Sequence, residues 1–499
     1  MLSTFLNSIL ILWLIGLFIV GINKKYIISG KEYVPIFNIS LIQNNNLYNK
    51  LKVWSLYISI ITLILFIYIY SNISYNNIYI SEIDKILDIP IGIDSISLYF
   101  ILLLLILYPI LILSSWYNNF NTPYLYYILV LIIPILLLLN FLCIDLYYFY
   151  IFFEATLIPL YILITIYGSN NRKQAAYYIL MYTLLGSLCM LISLCWTNAI
   201  IDDSTFFLIY KYIPSLDIQF ILWILLFIAI MVKSPILPLH TWLPLVHSES
   251  PLAGSILLAG IVLKLTVYLI IRWILPFLPE ISLLFTPFVF TICLLTIILI
   301  SFITMIQNDL KVIVAYSSVS HMSVCILGIF SNSLAGIEGS YLLGLAHGLV
   351  SPALFIAVGG ILYDRFHTRI IYYYNGLLSI MPYFSFYLII ISFANIGTPL
   401  SLNFIGEFLS LFGAFNNNFI LGIICISSIF LSATYQMKIT NKITGGINSY
   451  IFTNNDITKV ESISLNVLII ITLILGIFPS YITQHLDLLF NSYVIYHIG

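Results

Sequence analysis

Hydrophobic residues occur along this chain in long runs separated by short polar stretches, and most runs are close to 20 residues long. A helix that crosses a bilayer needs about 20 mostly apolar residues, whereas a strand of an outer-membrane barrel needs about 10 of alternating polarity. Runs such as residues 101–107, Ile-Leu-Leu-Leu-Leu-Ile-Leu, do not alternate. The pattern predicts an all-α polytopic membrane protein with about 14 transmembrane helices, in segments 4–22, 53–70, 96–113, 124–142, 146–167, 176–196, 220–239, 252–273, 281–306, 312–329, 339–362, 381–415, 419–437 and 465–483.

The basic residues between these segments test the count, because Lys and Arg collect in loops on the inner side of a membrane. Even-numbered loops and the C-terminal tail hold only Lys85, Lys211 and Arg272. The odd-numbered loops hold thirteen: Lys24, Lys25, Lys31, Lys50, Lys52, Arg172, Lys173, Lys311, Arg365, Arg369, Lys438, Lys442 and Lys459. Both termini are therefore predicted to lie outside and the odd loops inside.

Composition narrows the class of protein further. Only 7% of the 499 residues are charged and 62% are hydrophobic, which is too little polar surface for a soluble protein and too much apolar surface for a disordered one. The net charge of −1 gives no basic face for nucleic acid. The six cysteines are scattered without CxxC spacing, so neither a metal site nor a disulfide framework is indicated.

The residue usage also bears on origin. Ile, Tyr, Phe and Asn, whose codons are AT-rich, are heavily used, and the N-terminus lacks the Arg-rich pattern of a transit peptide. Both features predict synthesis inside an organelle.

Four charged residues fall inside predicted spans: Glu154, Lys233, Lys264 and Glu407. A charge at the centre of a membrane helix costs about 2.5–3.5 kcal/mol on insertion scales, so such residues usually face a bundle interior and mark ion or proton paths. One alternative is that Glu154 and Lys233 form a buried ion pair that only fixes helix packing. Buried pairs are weak evidence for stability, and four such charges in one chain favour function.

Histidines accompany these charges. His240 and His247 follow the seventh span, and His321 and His347 lie in the tenth and eleventh. An imidazole titrates near neutral pH and can accept a proton on one nitrogen while donating from the other. A role in helix packing is the alternative for each of them.

Two predicted spans are interrupted beside a buried charge. The seventh contains Lys233-Ser-Pro235, and the twelfth contains Gly397-Thr-Pro399 eight residues before Glu407. Helix-breaking proline frees carbonyls that a membrane tolerates only next to protein or water. Because the breaks are five spans apart, a duplicated unit would be inserted upside down, as in transporters with inverted repeats. The predicted units are residues 1–119, two inverted five-helix repeats at 120–280 and 281–440, and 441–499.

Four blocks carry a resemblance to a known family. They are residues 233–264, which begin Lys-Ser-Pro-Ile-Leu-Pro-Leu-His, together with 153–159, 307–322 and 346–351. They resemble the antiporter-like membrane subunits of respiratory complex I, the proton-pumping NADH:ubiquinone reductase, over about residues 120–440. Within this family, Asn403-Phe-Ile-Gly-Glu407 resembles the subunits that carry Glu in the twelfth span. Chains 2 and 5 of the complex typically carry Lys at that position. Val246, Ser250 and Pro352 depart from the family pattern, and Pro352 puts the local geometry of the eleventh span in question.

The resemblance implies a role for each buried residue. Glu154 would pair with Lys233 and tune its proton affinity, Lys264 would be the central relay lysine, and His347 and His321 would carry protons through water to Glu407. Electron transfer from NADH to ubiquinone elsewhere in the complex would drive the transfer.

The resemblance also implies the setting. No cofactor is expected in this chain, because FMN, iron-sulfur clusters and ubiquinone would be bound by other subunits. The expected partners are other membrane-arm subunits, with chains 2 and 5 as neighbours, and the lipid of the mitochondrial inner membrane. Two alternatives stay open: a cation/proton antiporter subunit, and a subunit that only bridges its neighbours and uses its charges for packing.

Overall fold

The computed structural model describes residues 8–9, 11–13, 15–16, 40–72, 79–83, 90–118, 122–201, 205, 213–446 and 456–486. These residues are mostly helical. The helices are α1 Ser40–Asn72, α2 Ser95–Ser114, α3 Pro123–Leu142, α4 Leu146–Ala155, α5 Leu157–Tyr167, α6 Arg172–Ile201, α7 Leu216–Lys233, α8 Trp242–Glu249, α9 Leu252–Leu257, α10 Lys264–Leu269, α11 Leu275–Phe277, α12 Pro279–Leu284, α13 Thr286–Ile306, α14 Leu310–Ile329, α15 Leu334–Phe355, α16 Tyr363–Phe366, α17 Leu377–Ile380, α18 Pro382–Ile396, α19 Leu402–Asn417, α20 Phe419–Thr444 and α21 Lys459–Ile477.

Some of these helices join into longer spans. α4 and α5 form one, α9 to α11 form a second through the π-helical turns Leu258–Val262 and Ile270–Ile274, and α15 and α16 form a third through Ile356–Leu362. Within the described residues, 12 helical spans are long and apolar enough to cross a membrane. The polytopic helical fold is therefore observed.

Two predicted spans are not among these twelve. The twelfth is divided into α18 and α19, which are each shorter than a full crossing. The first, at 4–22, lies largely outside the described residues. The total of fourteen stays a prediction.

A small hairpin departs from the all-α prediction. Strands β1 (Tyr79–Ile83) and β2 (Pro90–Asp94) pair antiparallel, with Tyr79 opposite Asp94. Asp94 then caps α2, since its Oδ1 accepts from the backbone N–H of Ser97 at 2.9 Å. The hairpin therefore leads directly into a membrane helix. The hydrophobic pattern of the sequence does not predict it, because its strands are only five residues long and lie between long apolar runs.

Two spans form the centre of the bundle. The spans Leu252–Phe277 and Leu334–Phe366 are buried throughout their most apolar windows, whereas only about a third of the corresponding window of α20 is buried. Because such helices are apolar on every side, hydrophobic periodicity alone cannot show which face meets which neighbour. Lys264 lies on the first of these spans and His347 on the second.

Glycines set the distance between these two central spans. A Cβ added to Gly260 would lie 2.5 Å from Leu107 and 3.6 Å from the Gly348 carbonyl, and one added to Gly348 would lie 3.0 Å from the Gly260 carbonyl. Small residues let membrane helices approach backbone to backbone. Gly260 is four residues before Lys264 and Gly348 follows His347, so this contact brings the lysine to the histidine.

Candidate functional site

The first helix break lies directly after a buried lysine. Helix α7 ends at Lys233, and Pro235 lies in the stretch of turns that leads to α8. The carbonyl of Val232 accepts from Trp242 Nε1 at 2.8 Å, and the carbonyl of Met231 accepts from the N–H of Ile236 at 3.1 Å. The protein itself therefore satisfies carbonyls that the break releases, as a membrane interior requires.

The second break wraps around a buried carboxylate. Helix α18 ends at Ile396 and α19 begins at Leu402, with Pro399 between them. Gly397 has φ +78°, and a Cβ there would lie 2.8 Å from Oε2 of Glu407. Leu400 also has a positive φ of 78°. The backbone approaches the carboxylate closely because residue 397 has no side chain.

Lys264 makes the first contact of a polar chain through the bundle. It is fully buried, its Nζ lies 2.7 Å from Nδ1 of His347, and it also donates to the carbonyl of Ala259. Ala259 belongs to the π-helical turn that precedes α10. Such turns are frequent at functional sites, and here the turn places a carbonyl five residues back within reach of the ammonium group.

Two histidines continue the chain to Glu407. The rings of His347 and His321 have centroids 5.5 Å apart, and His321 Nδ1 lies 2.9 Å from Oε1 of Glu407. The Nε2 atoms of both histidines have no hydrogen-bond partner within the described part of the protein. Lys264, His347, His321 and Glu407 therefore form one line of ionisable groups across four elements, α10, α15, α14 and α19.

A small polar cavity lies at the Glu407 end of this line. Its volume is about 10 Å³, roughly one water molecule. Four serines and a tyrosine, all able to hydrogen-bond a water, line it together with His321 and Glu407: Ser301, Ser320, Ser428, Ser432 and Tyr435. Glu407 is thus buried, 6% exposed, beside hydroxyl groups.

Residues 143–432, which contain this line of groups, match the model of the NADH:quinone oxidoreductase/Mrp antiporter transmembrane family. The chain belongs to this family.

Several proteins of this family are similar in sequence over most of the chain. The NADH-ubiquinone oxidoreductase chain 4 of Yarrowia lipolytica is 54% identical over 81% of this chain and 83% of its own length. The protein of the same name from Candida albicans is 55% identical over 78% and 83%, and that from Wickerhamomyces canadensis is 45% identical over 98% and 99%.

Solved structures of the family share the fold. A chain of respiratory complex I from Thermus thermophilus matches with a TM-score of 0.81 at 25% identity, covering 89% of this chain and 94% of its own. A chain of the Mrp complex from Dietzia sp. also has a TM-score of 0.81, at 15% identity, over 97% and 96%. The second likeness concerns the fold alone.

Glu154 and Lys233 differ from the contact expected of this family pattern. No ion pair joins them among the described residues, and Lys233 Nζ instead lies 3.3 Å from the ring centroid of Phe153. Successive helix residues point about 100° apart, so a lysine over the Phe153 ring does not also meet the next carboxylate. Glu154, which is half-buried, still interacts through space with the charge of Lys233 and with Ser187.

Three other residues were counted or questioned from sequence and have a definite place. Arg272, counted in a loop, is buried and paired with Asp94. Lys311, also counted in a loop, is 3% exposed. Helix α15 runs through Pro352 and continues into a π-helical turn, so the proline does not end the span.

Proposed function

We propose that this chain is a proton-translocating core subunit of the membrane arm of mitochondrial complex I, NADH:ubiquinone reductase. It moves protons across the inner membrane through buried ionisable side chains, and electron transfer from NADH to ubiquinone elsewhere in the complex drives them. The observation that carries this proposal is the line from Lys264 through His347 and His321 to Glu407, with polar contacts of 2.7 Å and 2.9 Å at its ends.

The contacts suggest how a proton moves along this line. Lys264 as the ammonium donates to Nδ1 of His347, and His347 releases a proton from Nε2. A water between the rings passes it to Nε2 of His321, which releases the proton on its Nδ1 to Oε1 of Glu407. Each imidazole accepts on one nitrogen and donates from the other, which is the property that suits histidine to a relay.

Glu154 and Lys233 act before this line. A carboxylate near a buried ammonium favours its charged form, and removal of that carboxylate favours the neutral amine. Lys233 has no hydrogen-bond partner among the described residues, so its protonation responds to the Glu154 charge and to the Phe153 ring. If Lys233 lost its proton, its positive charge would disappear, and protonation of Lys264 would then become more favourable.

We infer the finer architecture from the sequence. Fourteen helices are inferred, in two inverted five-helix repeats at 120–280 and 281–440, flanked by residues 1–119 and 441–499. The helix breaks at Pro235 and Pro399, each next to a buried ionisable residue, support the pairing of the two repeats.

The same relatives support the setting. The chain is inferred to be organelle-encoded, to have chains 2 and 5 as neighbours in the membrane arm, and to bind no redox cofactor itself. FMN, iron-sulfur clusters and ubiquinone belong to other subunits. A cation/proton antiporter subunit is the alternative, and identity of 54% to a complex I chain 4 favours the complex I function over it.

Replacement of Lys264 by Met tests the function. The variant removes the ammonium at similar volume, and we expect the complex to assemble while quinone-linked NADH oxidation and proton uptake by inner-membrane vesicles both fall at least about tenfold. Normal uptake with Met at this position would exclude the proposed path. Sodium-dependent uptake in the parent complex would instead favour the antiporter function.

A further inference from the structure

A third lysine is buried at the start of α14. Lys311 donates from Nζ to the carbonyl of Ser250 at 3.2 Å, and its ammonium lies 6.0 Å from the ring centroid of Tyr363. A Cβ on Gly359 would lie 2.6 Å from Cε of Lys311, so the glycine leaves space for the lysine stem. Positive-inside counting placed this residue in a loop, and the relay described above does not use it.

A fully buried histidine lies three residues before the Ser250 carbonyl that holds this lysine, and Ser250 Oγ donates to the carbonyl of that histidine, His247, at 3.4 Å. His247 on α8 stacks on the ring of Phe355 at 4.7 Å, and neither of its ring nitrogens has a hydrogen-bond partner in the described part of the chain. The positive charges of Lys311 and Lys264 both act on the His247 ring. A buried imidazole without partners is costly to keep for packing alone, since its polar atoms lose their hydrogen bonds to water.

Polar and charged groups lie near Lys311 in loops predicted to face the inner compartment. Arg369 donates to Ser169 Oγ at 3.0 Å and to the carbonyl of Ser248, and Ser169 Oγ donates to Glu249 Oε2 at 2.5 Å. Asp309 Oδ1 accepts from the backbone N–H of Lys311 at 2.9 Å.

The acidic residues near Lys311 differ in solvent exposure. Asp364 is exposed, whereas Asp309 and Glu249 are half-buried. Burial raises the pKa of the Asp309 carboxyl, and Arg369 opposes that shift. The cluster therefore joins the aqueous inner surface to the buried ammonium group of Lys311.

We propose that Lys311 and His247 form the intake arm of the proton path, which takes protons from the inner-face cluster and delivers them to Lys264. The proposal rests on the proposed function, because it supplies the proton that Lys264 passes on. In the transfer, an N–H bond of the Lys311 ammonium breaks as a ring nitrogen of His247 gains the proton. The imidazolium then releases a proton from its other nitrogen, the proton reaches neutral Lys264 through water, and a carboxyl of the cluster reprotonates Lys311.

Replacing Lys311 by Arg separates this function from anchoring. Arginine keeps the positive charge and can donate to the Ser250 carbonyl, but it does not deprotonate in proteins. Lys311→Met removes the charge at similar length. His247→Gln removes an imidazole whose nitrogens make no hydrogen bond to the residues that the structure describes. We expect all three variants to assemble and to lose at least about tenfold in quinone-linked NADH oxidation and in proton uptake by inner-membrane vesicles.

Lys438 offers a matched control. It is exposed, lies near the end of α20 and donates to the carbonyl of Met305, so it too holds a helix-end carbonyl. Lys438→Arg and Lys438→Met should keep the parent rates.

The outcomes distinguish the two proposals. Parent rates in Lys311→Arg, or loss of assembly in both Lys311 variants, would overturn the intake function and leave an anchor. If Lys264→Met abolishes uptake while Lys311→Arg and His247→Gln do not, only the intake arm fails. If Lys264→Met itself pumps normally, the proposed function fails.

Discussion

His321 Nδ1 lies 2.9 Å from Oε1 of Glu407, and this contact links α14 to the helix that follows the second break. The break itself fixes the acceptor, because Gly397 lies against the other carboxylate oxygen. The carboxylate and His321 both line the small cavity with its four serines. Glu407 thus contacts a histidine nitrogen and lies beside space for about one water, which is the arrangement that an exchange site needs.

Glu407→Gln should stop this exchange without loss of the fold. The amide can still accept from His321, but it cannot take up the proton, so we expect an assembled complex whose turnover and proton uptake fall at least about tenfold. Glu280→Gln, at an exposed acid outside the line, is the control and should keep the parent rates. Equal rates in the two variants would remove Glu407 from the path.

Gly397→Ala should disturb the same carboxylate from its backbone side. An alanine at φ +78° is strained by about 1–3 kcal/mol, and its Cβ would lie 2.8 Å from Glu407 Oε2. We expect lower proton uptake in the assembled complex. Gly344→Ala is the matched control, since its Cβ would meet only Val267 at ordinary contact distances of 3.8 and 3.9 Å. Similar uptake in both variants would show that the close approach is unimportant.

The buried pair of Asp94 and Arg272 allows a test of stability rather than transport. Asp94→Asn keeps a side chain that can cap α2 but removes the negative charge that faces the Arg272 guanidinium, and breaking a buried ion pair in this way typically costs about 3–5 kcal/mol. We expect less assembled complex on native gels. The double variant with Arg272→Met removes both charges and should recover most of it. A double variant as poor as the single one would mean that the pair itself is required.

Much of this site could be predicted from sequence, because a charge inside an apolar run is visible without coordinates. Lys233, Lys264 and Glu407 are recognisable in this way, and the prolines near Lys233 and Glu407 indicate the interrupted helices. The burial of residues in the loops was harder to predict, because the position of a residue outside an apolar run does not show whether it is buried. Lys311 is the second residue of α14, two residues after the Asp309 cap, and it is buried because the tenth span starts inside the protein.

The distances between helices could not be predicted in the same way. Spans that are apolar on all sides give no preferred face, so the meeting of Lys264 with His347 depends on the Gly260 contact that only coordinates reveal. For the same reason the sequence suggested a contact between Glu154 and Lys233 where a phenyl ring lies instead.

The predicted sidedness can be tested with single cysteines. Lys173 and Asp217 are both exposed, and they lie at the starts of α6 and α7, which are predicted to be on opposite sides of the membrane. In sealed inner-membrane vesicles, an impermeant maleimide should label Lys173→Cys and Asp217→Cys from opposite sides, with a background free of other reactive cysteines. Labelling of both from one side would contradict the helix count.

The position of Lys233 over Phe153 leads to a prediction that the expected ion pair would not have made. The ammonium lies 3.3 Å from the ring centroid and has no hydrogen-bond partner among the described residues. A cation over a desolvated aromatic face gains about 2 kcal/mol, so Phe153→Leu should favour the neutral amine and lower proton uptake several-fold in an assembled complex. Phe152→Leu, at the adjacent and more exposed ring, is the control.

The effect of Phe153→Leu should also shrink when Glu154→Gln is already present, because both changes act on the same ammonium group. If the two leucine variants pump alike, or if the effects of Phe153→Leu and Glu154→Gln simply add, the ring does not set the protonation of Lys233.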